Sequence, residues 1–575
     1  MSGAGGPVAV VTGGAVGIGA AIAEELGRGG LYVVTVDPGV AVDGTPQDGG
    51  AVGPSTAQRI VEAGGNARAS SISVTDEAAL RALFAELVEE FGALDAVVNV
   101  AGISRPTGFA SGSEDDWRAV LDVHLNGYLG VLRAALPIMT AAGHGRILGV
   151  TSGSGWRAAD AGAYSCAKRA VAALTWRIGR ETPPGVTVNA LSPIAATRMV
   201  LSALSRQAGG GNTSGRDSAT GGVSLGLSSV PPPEHLGPIG AYLAGDRFSS
   251  WSRGQIMFSN GAEVAWVAPP QLLESAPTGG MKSFTRALET LEDAVLAPAE
   301  SAQVSNGGGN PRIGAAFEEP AGDPAASAGV GRCVMITDSP EWGAVLGDAL
   351  GARGLECTGI GAWQGAGAGP REVATSFEGA AGQLAAVAQD AGAVDAVVVA
   401  LAGDGTVGTT AADAPEWQRV LDEHEGITER IRVDAAWVRA VADLAAASER
   451  SIRVITVVGA ATAGGRSRAQ AATQLSRAAH PATSNRVDAF AVAVETADPG
   501  ARGTVADLVA HLAGSAGAGA LSGAELVVHA DWFGLRSHPR PAGTVTFGGP
   551  VVPGWLDGAL REMVAGVPER GREEG

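Results

Sequence analysis

The chain of 575 residues is poor in cysteine, lysine and tyrosine, and it has no long apolar run. Three cysteines provide neither a disulfide framework nor a cysteine-rich metal site, so we expect no metal and a reducing, cytoplasmic setting. A membrane span needs about 18 consecutive apolar residues, and the sequence contains neither such a run nor a recognisable signal peptide. A formal net charge of −19 without a basic run disfavours nucleic acid and anionic membranes as partners.

The scarcity of lysine makes one short stretch informative. The sequence has two lysines against 38 arginines, so positions that need only positive charge almost always carry arginine. Tyr164 and Lys168 are four residues apart and lie on one face of a predicted helix. There a phenol and a compact ammonium can act together in proton transfer. The alternative is a half-buried helix tyrosine beside a solvated lysine.

A glycine-rich turn follows the apolar run Val8 to Val11 and precedes a helix-like segment. Glycines let the backbone approach a pyrophosphate, whose charge is favoured by the N-terminus of the following helix. The predicted contact residues are Thr12, Gly13, Gly17, Ile18 and Gly19. A turn without a ligand is the alternative, because the chain holds 86 glycines.

A second strand-like run, Leu31 to Val36, ends at Asp37, about 20 residues past the glycines. At that point a carboxylate would accept hydrogen bonds from an adenosine ribose. Asp37 would repel a 2′-phosphate and no arginine in the glycine turn compensates, so NAD is favoured over NADP. A helix-capping role for Asp37 is the alternative.

Taken in order, these motifs resemble those of the short-chain dehydrogenase/reductase family. The resemblance covers residues 1 to about 267 and includes Thr12 to Gly19, Asn99 to Gly102, Ser152, Tyr164, Lys168, Asn189, and Pro193 to Thr197. It implies an α/β, Rossmann-like, doubly wound parallel sheet. It also implies NAD-dependent hydride transfer between nicotinamide and a secondary alcohol or ketone. The implied cofactor contacts beyond the glycine turn are Asp37, Val74, Asn99, Ala101, Gly102, Tyr164, Lys168, Pro193 and Thr197.

The family mechanism makes Tyr164 the acid/base, with a phenol pKa lowered by Lys168 and by the nicotinamide charge. Ser152 would hydrogen-bond the same substrate oxygen, with Thr151 and Ser154 as alternatives. His124 stands where most relatives have an asparagine that holds a water for proton relay. It is therefore either a relay residue or a core histidine.

Three segments are similar to the dehydrogenase domains of peroxisomal multifunctional β-oxidation enzymes, namely Pro38 to Ser55, Val123 to Gly127 and Pro193 to Met199. That similarity implies a hydroxyacyl or ketoacyl thioester as substrate, and a polyketide-like ketone is the alternative. A cofactor-binding scaffold without useful turnover is the alternative from another functional class.

Two further segments bear on how the cofactor and the substrate would be held. Ser71 to Val74 occupies the strand end where relatives place an adenine-binding aspartate, so we expect backbone groups near Val74 to replace it. The glycine-rich stretch 208–233 is expected to cover the substrate as a lid, and a role-free insertion is the alternative.

The second half of the sequence repeats the first at an offset of 300 residues. Asp116 to His124 recurs as Glu416 to His424, and Gly92 to Val98 recurs as Gly392 to Val398. We therefore predict two such domains in tandem. The expected boundaries are a catalytic domain 1–267, a linker 268–329 with one helix around Phe284 to Val295, a second domain 330–545 and a C-terminal tail 546–575.

The second domain is predicted to be catalytically silent. Ungapped alignment puts Asp338 and Trp342 opposite Gly13 and Gly17, where they would obstruct a phosphate. The same procedure puts Gly459, Ala471 and Leu475 opposite Ser152, Tyr164 and Lys168. We expect this copy to act as an internal dimer partner, with further homo-oligomers left open.

Overall fold

The computed structural model describes residues 6–47, 53–158, 160–199, 230–296, 331–365, 369–402, 411 and 413–565. Of the lid predicted over 208–233, residues 208–229 lie outside the described residues, as does the tail beyond 565. Across the described ranges, every helix is too short or too polar to cross a bilayer.

The strands and helices alternate along most of the chain. The strands of the first half are β1 Val8–Thr12, β2 Tyr32–Val36, β3 Asn66–Ser70, β4 Ala96–Asn99, β5 Gly145–Val150, β6 Val186–Pro193, β7 Ile256–Ser259 and β8 Glu263–Ala268. Its helices are α1 Gly17–Arg28, α2 Thr56–Glu62, α3 Glu77–Phe91, α4 Glu114–Leu121, α5 Gly127–Ala142, α6 Gly162–Glu181, α7 Gly237–Leu243 and α8 Asp246–Ser249.

The remaining strands are β9 Leu272–Pro277, β10 Arg332–Thr337, β11 Glu356–Gly361, β12 Ala396–Ala400, β13 Ile452–Gly459, β14 Val487–Val494, β15 Glu525–Val528, β16 Trp532–Arg536 and β17 Arg540–Thr546. The remaining helices are α9 Phe284–Leu296, α10 Pro340–Ala352, α11 Phe377–Ala391, α12 Glu416–Glu423, α13 Ile427–Ser448, α14 Ala463–Ala482, α15 Ala501–Gly514 and α16 Leu556–Ala565.

The first sheet has the order β17-β8-β7-β6-β5-β4-β1-β2-β3, and its strands from β3 to β7 are parallel. Alternate residues face opposite helical layers, as a period of two requires. Val8 and Val10 pack in a cluster with Leu87 of α3, whereas Ala9 and Val11 pack with Ile22 of α1. Helices therefore cover both faces, which confirms the predicted doubly wound α/β fold.

The second sheet has the order β11-β10-β12-β13-β14-β15-β16-β9, parallel from β11 to β15. Strands β10 to β16 take the places that β1, β2 and β4 to β8 have in the first sheet, so a counterpart of β3 is the one missing among the described residues. Trp117 and Trp417 are buried on the corresponding short helices α4 and α12. Two α/β domains thus follow one another in the chain.

The two sheets exchange their last strands. Three residues after β8, strand β9 pairs antiparallel with β16 of the second sheet. Three residues after β16, strand β17 pairs antiparallel with β8 of the first sheet. The crossovers also touch each other, because Ser537 N donates to Gln271 O over 2.8 Å.

This exchange changes the boundaries expected from composition. The segment 268–329 contains β9 and α9, and Leu288 and Leu291 of α9 belong to the core of the second half. Beyond residue 545, Leu556 and Leu560 of α16 are fully buried in the core of the first half. Composition cannot locate such segments, since pairing with a distant strand leaves no local signal.

The halves also share a helical interface. Helices α6 and α14 pack against each other, and Cys166 Sγ donates to Ala471 O over 3.5 Å. One hydrophobic cluster continues across the boundary from Leu129 and Leu132 to Ile427 and Val441. The two halves are therefore packed closely against each other.

Candidate active site

The glycine turn lies at the carboxyl end of β1, directly beside the loop that follows β4. Gly13 and Gly17 have φ of +66° and +61°, a conformation that favours glycine. A Cβ at Gly13 would lie 2.8 Å from Ala101 Cα. Thr12 Oγ1 donates to Asn99 Oδ1 over 2.7 Å and accepts from Ala101 N over 3.3 Å.

The N-terminus of α1 fits an anionic group. Its N-cap residue is Val16, no described side chain caps the helix, and the first turn carries no acidic residue. A Cβ at Gly19 would lie 2.1 Å from Gly13 O, so the backbone of the turn passes too close to α1 for any side chain at position 19. Ile18 is half-buried and packs against the core. The uncapped helix N-terminus and the close backbone match the needs of a pyrophosphate.

Asp37 lies where the adenosine ribose was predicted to bind. Its Oδ2 accepts from Ala15 N over 3.3 Å, and its Oδ1 accepts from Gly39 N over 2.9 Å. The carboxylate is therefore held against the glycine turn itself. Among the described helices it caps none, which argues against the alternative role.

Ser152, Tyr164 and Lys168 meet at the carboxyl end of β5 and the start of α6. Burial raises the pKa of Tyr164, and a hydrogen bond with the Ser152 side chain opposes part of that rise. Lys168 is buried, and its Nζ donates to Val150 O over 2.7 Å and lies 5.8 Å from the Tyr164 ring centroid. Burial lowers the Lys168 pKa to about 7.

The phenol pKa differs from the expectation. The family mechanism implies a pKa below the usual value, whereas desolvation dominates here and raises it. The raised pKa keeps Tyr164 protonated at neutral pH.

The alternatives to Ser152 have other partners. Thr151 Oγ1 donates to Lys168 O over 2.6 Å and so ties β5 to α6. Ser154 N donates to Ser152 Oγ over 3.3 Å, which fixes the Ser152 side chain at the start of a short turn. Ser152 is thus the hydroxyl that the fold presents to Tyr164.

His124 lies in a π-helical turn, Asp122–Asn126, with its ring edge-on to Tyr164 at a centroid distance of 5.0 Å. Its Nε2 lies 2.8 Å from Ile103 O, and no described polar atom pairs with its buried Nδ1. Burial and the charge of Lys168 lower its pKa to about 3, so the imidazole is neutral. A Cβ at Gly102 would lie 2.5 Å from His124 Cε1, which explains the glycine.

Three predicted cofactor residues lie at the rim. A Cβ at Gly17 would lie 3.8 Å from Thr197 Cγ2, so the segment after β6 faces the glycine turn. Pro193 ends β6, at the same sheet edge. Val74 is buried and lies against α5, where a Cβ at Gly127 would be 2.8 Å from its Cγ1. Its side chain belongs to the core, leaving only its backbone for a ligand.

In the second half, the turn between β10 and α10 is shorter. Strand register pairs Thr12 with Asn99 and Ile336 with Val399, so Thr337 stands opposite Gly13. Asp338 and Ser339 alone separate β10 from α10, and Ser339 Oγ caps this helix by accepting from Trp342 N over 3.2 Å. The ungapped alignment with Asp338 and Trp342 was therefore wrong by one or two residues.

The counterparts of Tyr164 and Lys168 also change. In the first half, Arg146 of β5 pairs with Thr187 of β6, which lies 41 residues later in the chain. In the second half, the equivalent Arg453 of β13 pairs with Asp488 of β14, which lies only 35 residues later. The helices between these positions both have 20 residues, so the loss falls in the loop that carries Ser152 in the first half. The third and seventh residues of α14 are Gly465 and Ala469, which replace the Ala471 and Leu475 of the ungapped alignment.

Sequence reasoning missed the residues of the second half that hold the catalytic loop. Gln474 Nε2 donates to Ser154 O over 3.1 Å and to Arg157 O over 2.8 Å, and Arg477 Nη1 donates to Trp156 O over 2.7 Å. Both donors lie on α14, more than 300 residues away along the chain. Only the packing of α6 on α14 brings them to this loop.

Comparison with known proteins agrees with this geometry. A short chain dehydrogenase family model matches residues 7–208. The chain is 36% identical over 225 residues to the short-chain reductase NovJ of Streptomyces niveus, which covers 39% of this chain and 82% of that protein. It is 31% identical over 258 residues to an acetoacetyl-CoA reductase of Allochromatium vinosum, which covers 44% of this chain and 97% of that protein.

A solved structure resembles nearly the whole chain. The N-domain of a bacterial malonyl-CoA reductase, solved with NADP, matches with a TM-score of 0.62 over 88% of this chain and 95% of that chain. At 17% identity this likeness shows the fold alone. The relatives and the assembled motifs together show that this chain belongs to the short-chain dehydrogenase/reductase family, whose members are oxidoreductases that bind a nicotinamide cofactor.

Proposed function

We propose that the protein is an NAD-dependent ketoreductase or dehydrogenase that acts on a ketoacyl or hydroxyacyl thioester, with a polyketide-like ketone as the second candidate. The observation that carries this proposal is that Ser152, Tyr164 and buried Lys168 meet at the same sheet edge as the glycine turn. The name of the acetoacetyl-CoA reductase relative supports a thioester. The similarity to peroxisomal β-oxidation enzymes stays a prediction.

Thr12 to Gly19, Asn99 to Gly102 and Asp37 would hold the cofactor, which when bound supplies or accepts the hydride. The carboxylate of Asp37 supports NAD, because it already accepts from the glycine turn and would repel a second charge near it. The bare N-terminus of α1 suits the pyrophosphate.

The chain's own residues would manage the proton. Tyr164 Oη, protonated because burial raises its pKa, would donate to the oxygen of a ketone as that oxygen gains charge. Ser152 Oγ would hydrogen-bond the same oxygen and orient it. Lys168 would return the phenolate to its protonated form, since an ammonium with a pKa of about 7 gives up a proton readily. A protonated phenol suits the donation of a proton to a ketone.

A direct test is a rate assay of the full chain with acetoacetyl thioester and with a polycyclic ketone, each with NADH and NADPH. We expect turnover with NADH, followed by the loss of reduced-nicotinamide absorbance, and preference for the thioester. If the protein binds NADH but reduces neither ketone, the proposed activity is wrong and the result supports a cofactor-binding scaffold.

We also propose that the second half is a catalytically silent copy that supports the first. Its short turn and its Ser339 cap leave the N-terminus of α10 without the uncapped end that α1 offers to a phosphate. Its α14 places Gly465 and Ala469 where α6 has Tyr164 and Lys168. What α14 does supply is Gln474 and Arg477, which bind carbonyls of the catalytic loop.

The supporting role predicts that Gln474→Leu lowers kcat while leaving the KM for NADH unchanged, because the Ser152 loop loses two hydrogen bonds. Thr473→Ala is a matched control, since Thr473 Oγ1 bonds only within its own helix in the described chain. Equal kcat in both variants would remove the support for this role.

The thiols of β10 and β11 fit a reducing compartment. Cys333 and Cys357 are register partners on β10 and β11, and both are free. We propose on this basis that the protein works in the cytoplasm.

A further inference from the structure

A cavity of about 610 Å³ lies where the two sheets exchange strands. Its walls come from the catalytic loop, from β7, from α14 and from the crossover between β16 and β17. We call it the seam cavity, and the lining residues that matter here are Trp156, Arg157, Phe258, Arg477, Leu535 and His538. Neither half could form it alone. Its volume is within the range of about 300 to 1,000 Å³ that is usual for small-molecule sites.

The polar part of the seam cavity is cationic. Four arginines and one histidine line it, and none of its described lining residues is Asp or Glu, although the chain carries a net charge of −19. Arg536 is already paired with Glu495, with Nη2 2.6 Å from Oε2. Arg540 also has an interaction partner, so the charge available to a ligand belongs chiefly to Arg157 and Arg477.

Arg477 is short of negative charge. The nearby carboxylate is Glu525, which is buried and forms an ion pair of 2.5 Å with Arg169. Burial and the charge of Arg169 lower the pKa of Arg477 to about 10, against a weaker opposite effect of Glu525. Arg169 and Arg477 thus share the carboxylate of Glu525 in a largely buried site, which leaves one positive charge without a negative partner among the described residues. A bound anion would compensate that charge.

The rest of the wall is apolar. Trp156 and Leu535 are buried at the edge of the cavity, and Phe258 and Leu273 are half-buried there. A small inorganic ion would leave this apolar surface exposed to water, whereas a molecule with a hydrocarbon body would bury it favourably. Cationic and apolar walls therefore face the same cavity.

We propose that the seam cavity binds a small organic anion, a carboxylate carried on an apolar body, with its charge at Arg157 and Arg477. The site needs neither the cofactor nor turnover, so it goes beyond the proposed function. It is also placed to affect that function, because Gly153, Trp156 and Arg157 belong to the loop that begins at Ser152. An occupant would contact the residues that position the catalytic hydroxyl.

The test is calorimetric titration of the full chain, without cofactor, with octanoate and with octan-1-ol as the uncharged match. We expect octanoate to bind at least about tenfold more tightly than octanol, because only the carboxylate can accept charge-assisted hydrogen bonds. Equal affinity for the two probes, or no octanoate binding, would overturn the proposal.

Two variants locate the site. Arg157→Gln removes an exposed side chain and should preserve folding while lowering octanoate affinity about tenfold and leaving octanol binding unchanged. Arg477→Gln should do the same, and Arg81→Gln, in an exposed pair with Glu77 on α3, is the charge-matched control. If Arg157→Gln and Arg477→Gln both bind octanoate as the wild type does, the anion binds elsewhere and the assignment is wrong.

Discussion

Arg169 Nη2 lies 2.5 Å from Glu525 Oε2, so the residue that directly follows the active-site lysine is neutralised by the second half of the chain. Both side chains are buried, with exposed fractions of 0% and 3%. Gln470 and Gln474 accept the other Arg169 donors at 2.8 Å and 3.1 Å. The active helix α6 is thus fixed to α14 at its catalytic end.

Glu525→Gln leaves the Arg169 guanidinium buried without a counter-charge. We expect a loss of about 3 to 5 kcal/mol in unfolding free energy, measured from urea unfolding followed by circular dichroism. Glu77→Gln, which breaks the exposed pair with Arg81, should cost less than about 0.5 kcal/mol. Similar losses of unfolding free energy in the two variants would mean that the buried pair stabilises the fold no more than an exposed pair does.

Tyr164→Phe removes the proposed proton donor without changing the ring. We expect kcat to fall by about 10² to 10⁴, while NADH affinity measured by nicotinamide fluorescence stays close to that of the wild type. Tyr128→Phe is the control, because Tyr128 is a buried tyrosine that bonds Thr175 over 3.1 Å. Retained turnover in Tyr164→Phe would disprove the role.

Asp37→Ala should weaken selection of NADH over NADPH by about tenfold, measured as the ratio of their kcat/KM values. The variant loses both the ribose acceptor and the charge that repels a phosphate. Asp43→Ala changes the net charge equally on the same segment, where Asp43 accepts from Thr45 over 3.0 Å. An unchanged ratio in Asp37→Ala would show that Asp37 does not select the cofactor.

His124 should not titrate in the working range of the enzyme, because burial and Lys168 lower its pKa to about 3. His124→Asn, which introduces the residue common in the family, should leave the pH profile of kcat/KM unchanged in shape between about pH 5 and 9. The contrary result is a change of kcat/KM near the ordinary histidine pKa that the wild type shows and the variant lacks. That result would mean that the imidazole gains a proton during turnover.

Lys168 makes stability depend on pH. Its pKa is lowered from 10.5 to about 7, so between these values the folded chain has released a proton that the unfolded chain still binds. Stability therefore rises as pH increases through this window. Lys168→Met should be more stable than the wild type below pH 7, with a difference that shrinks towards pH 10, as followed by urea midpoints. A constant difference would contradict the buried ammonium.

Local chemistry made part of the site predictable. Gly13 and Gly17 have the positive φ that the turn requires, and Tyr164 and Lys168 lie on one helix at the spacing that brings them together. By contrast, the offset of 300 residues identified the repeat but could not place its gaps. Only strand register showed that the segment between β13 and α14 is six residues shorter than the segment between β5 and α6.

By itself, the sequence determined the strand, turn and helix patterns of the first half, because each depends on residues close together in the chain. Tertiary structure alone decided the exchange of β9 and β17, the Arg169–Glu525 pair and the seam cavity. Those features join residues up to hundreds of positions apart. Their free energy comes from burial and pairing that exist only after the two halves have packed together.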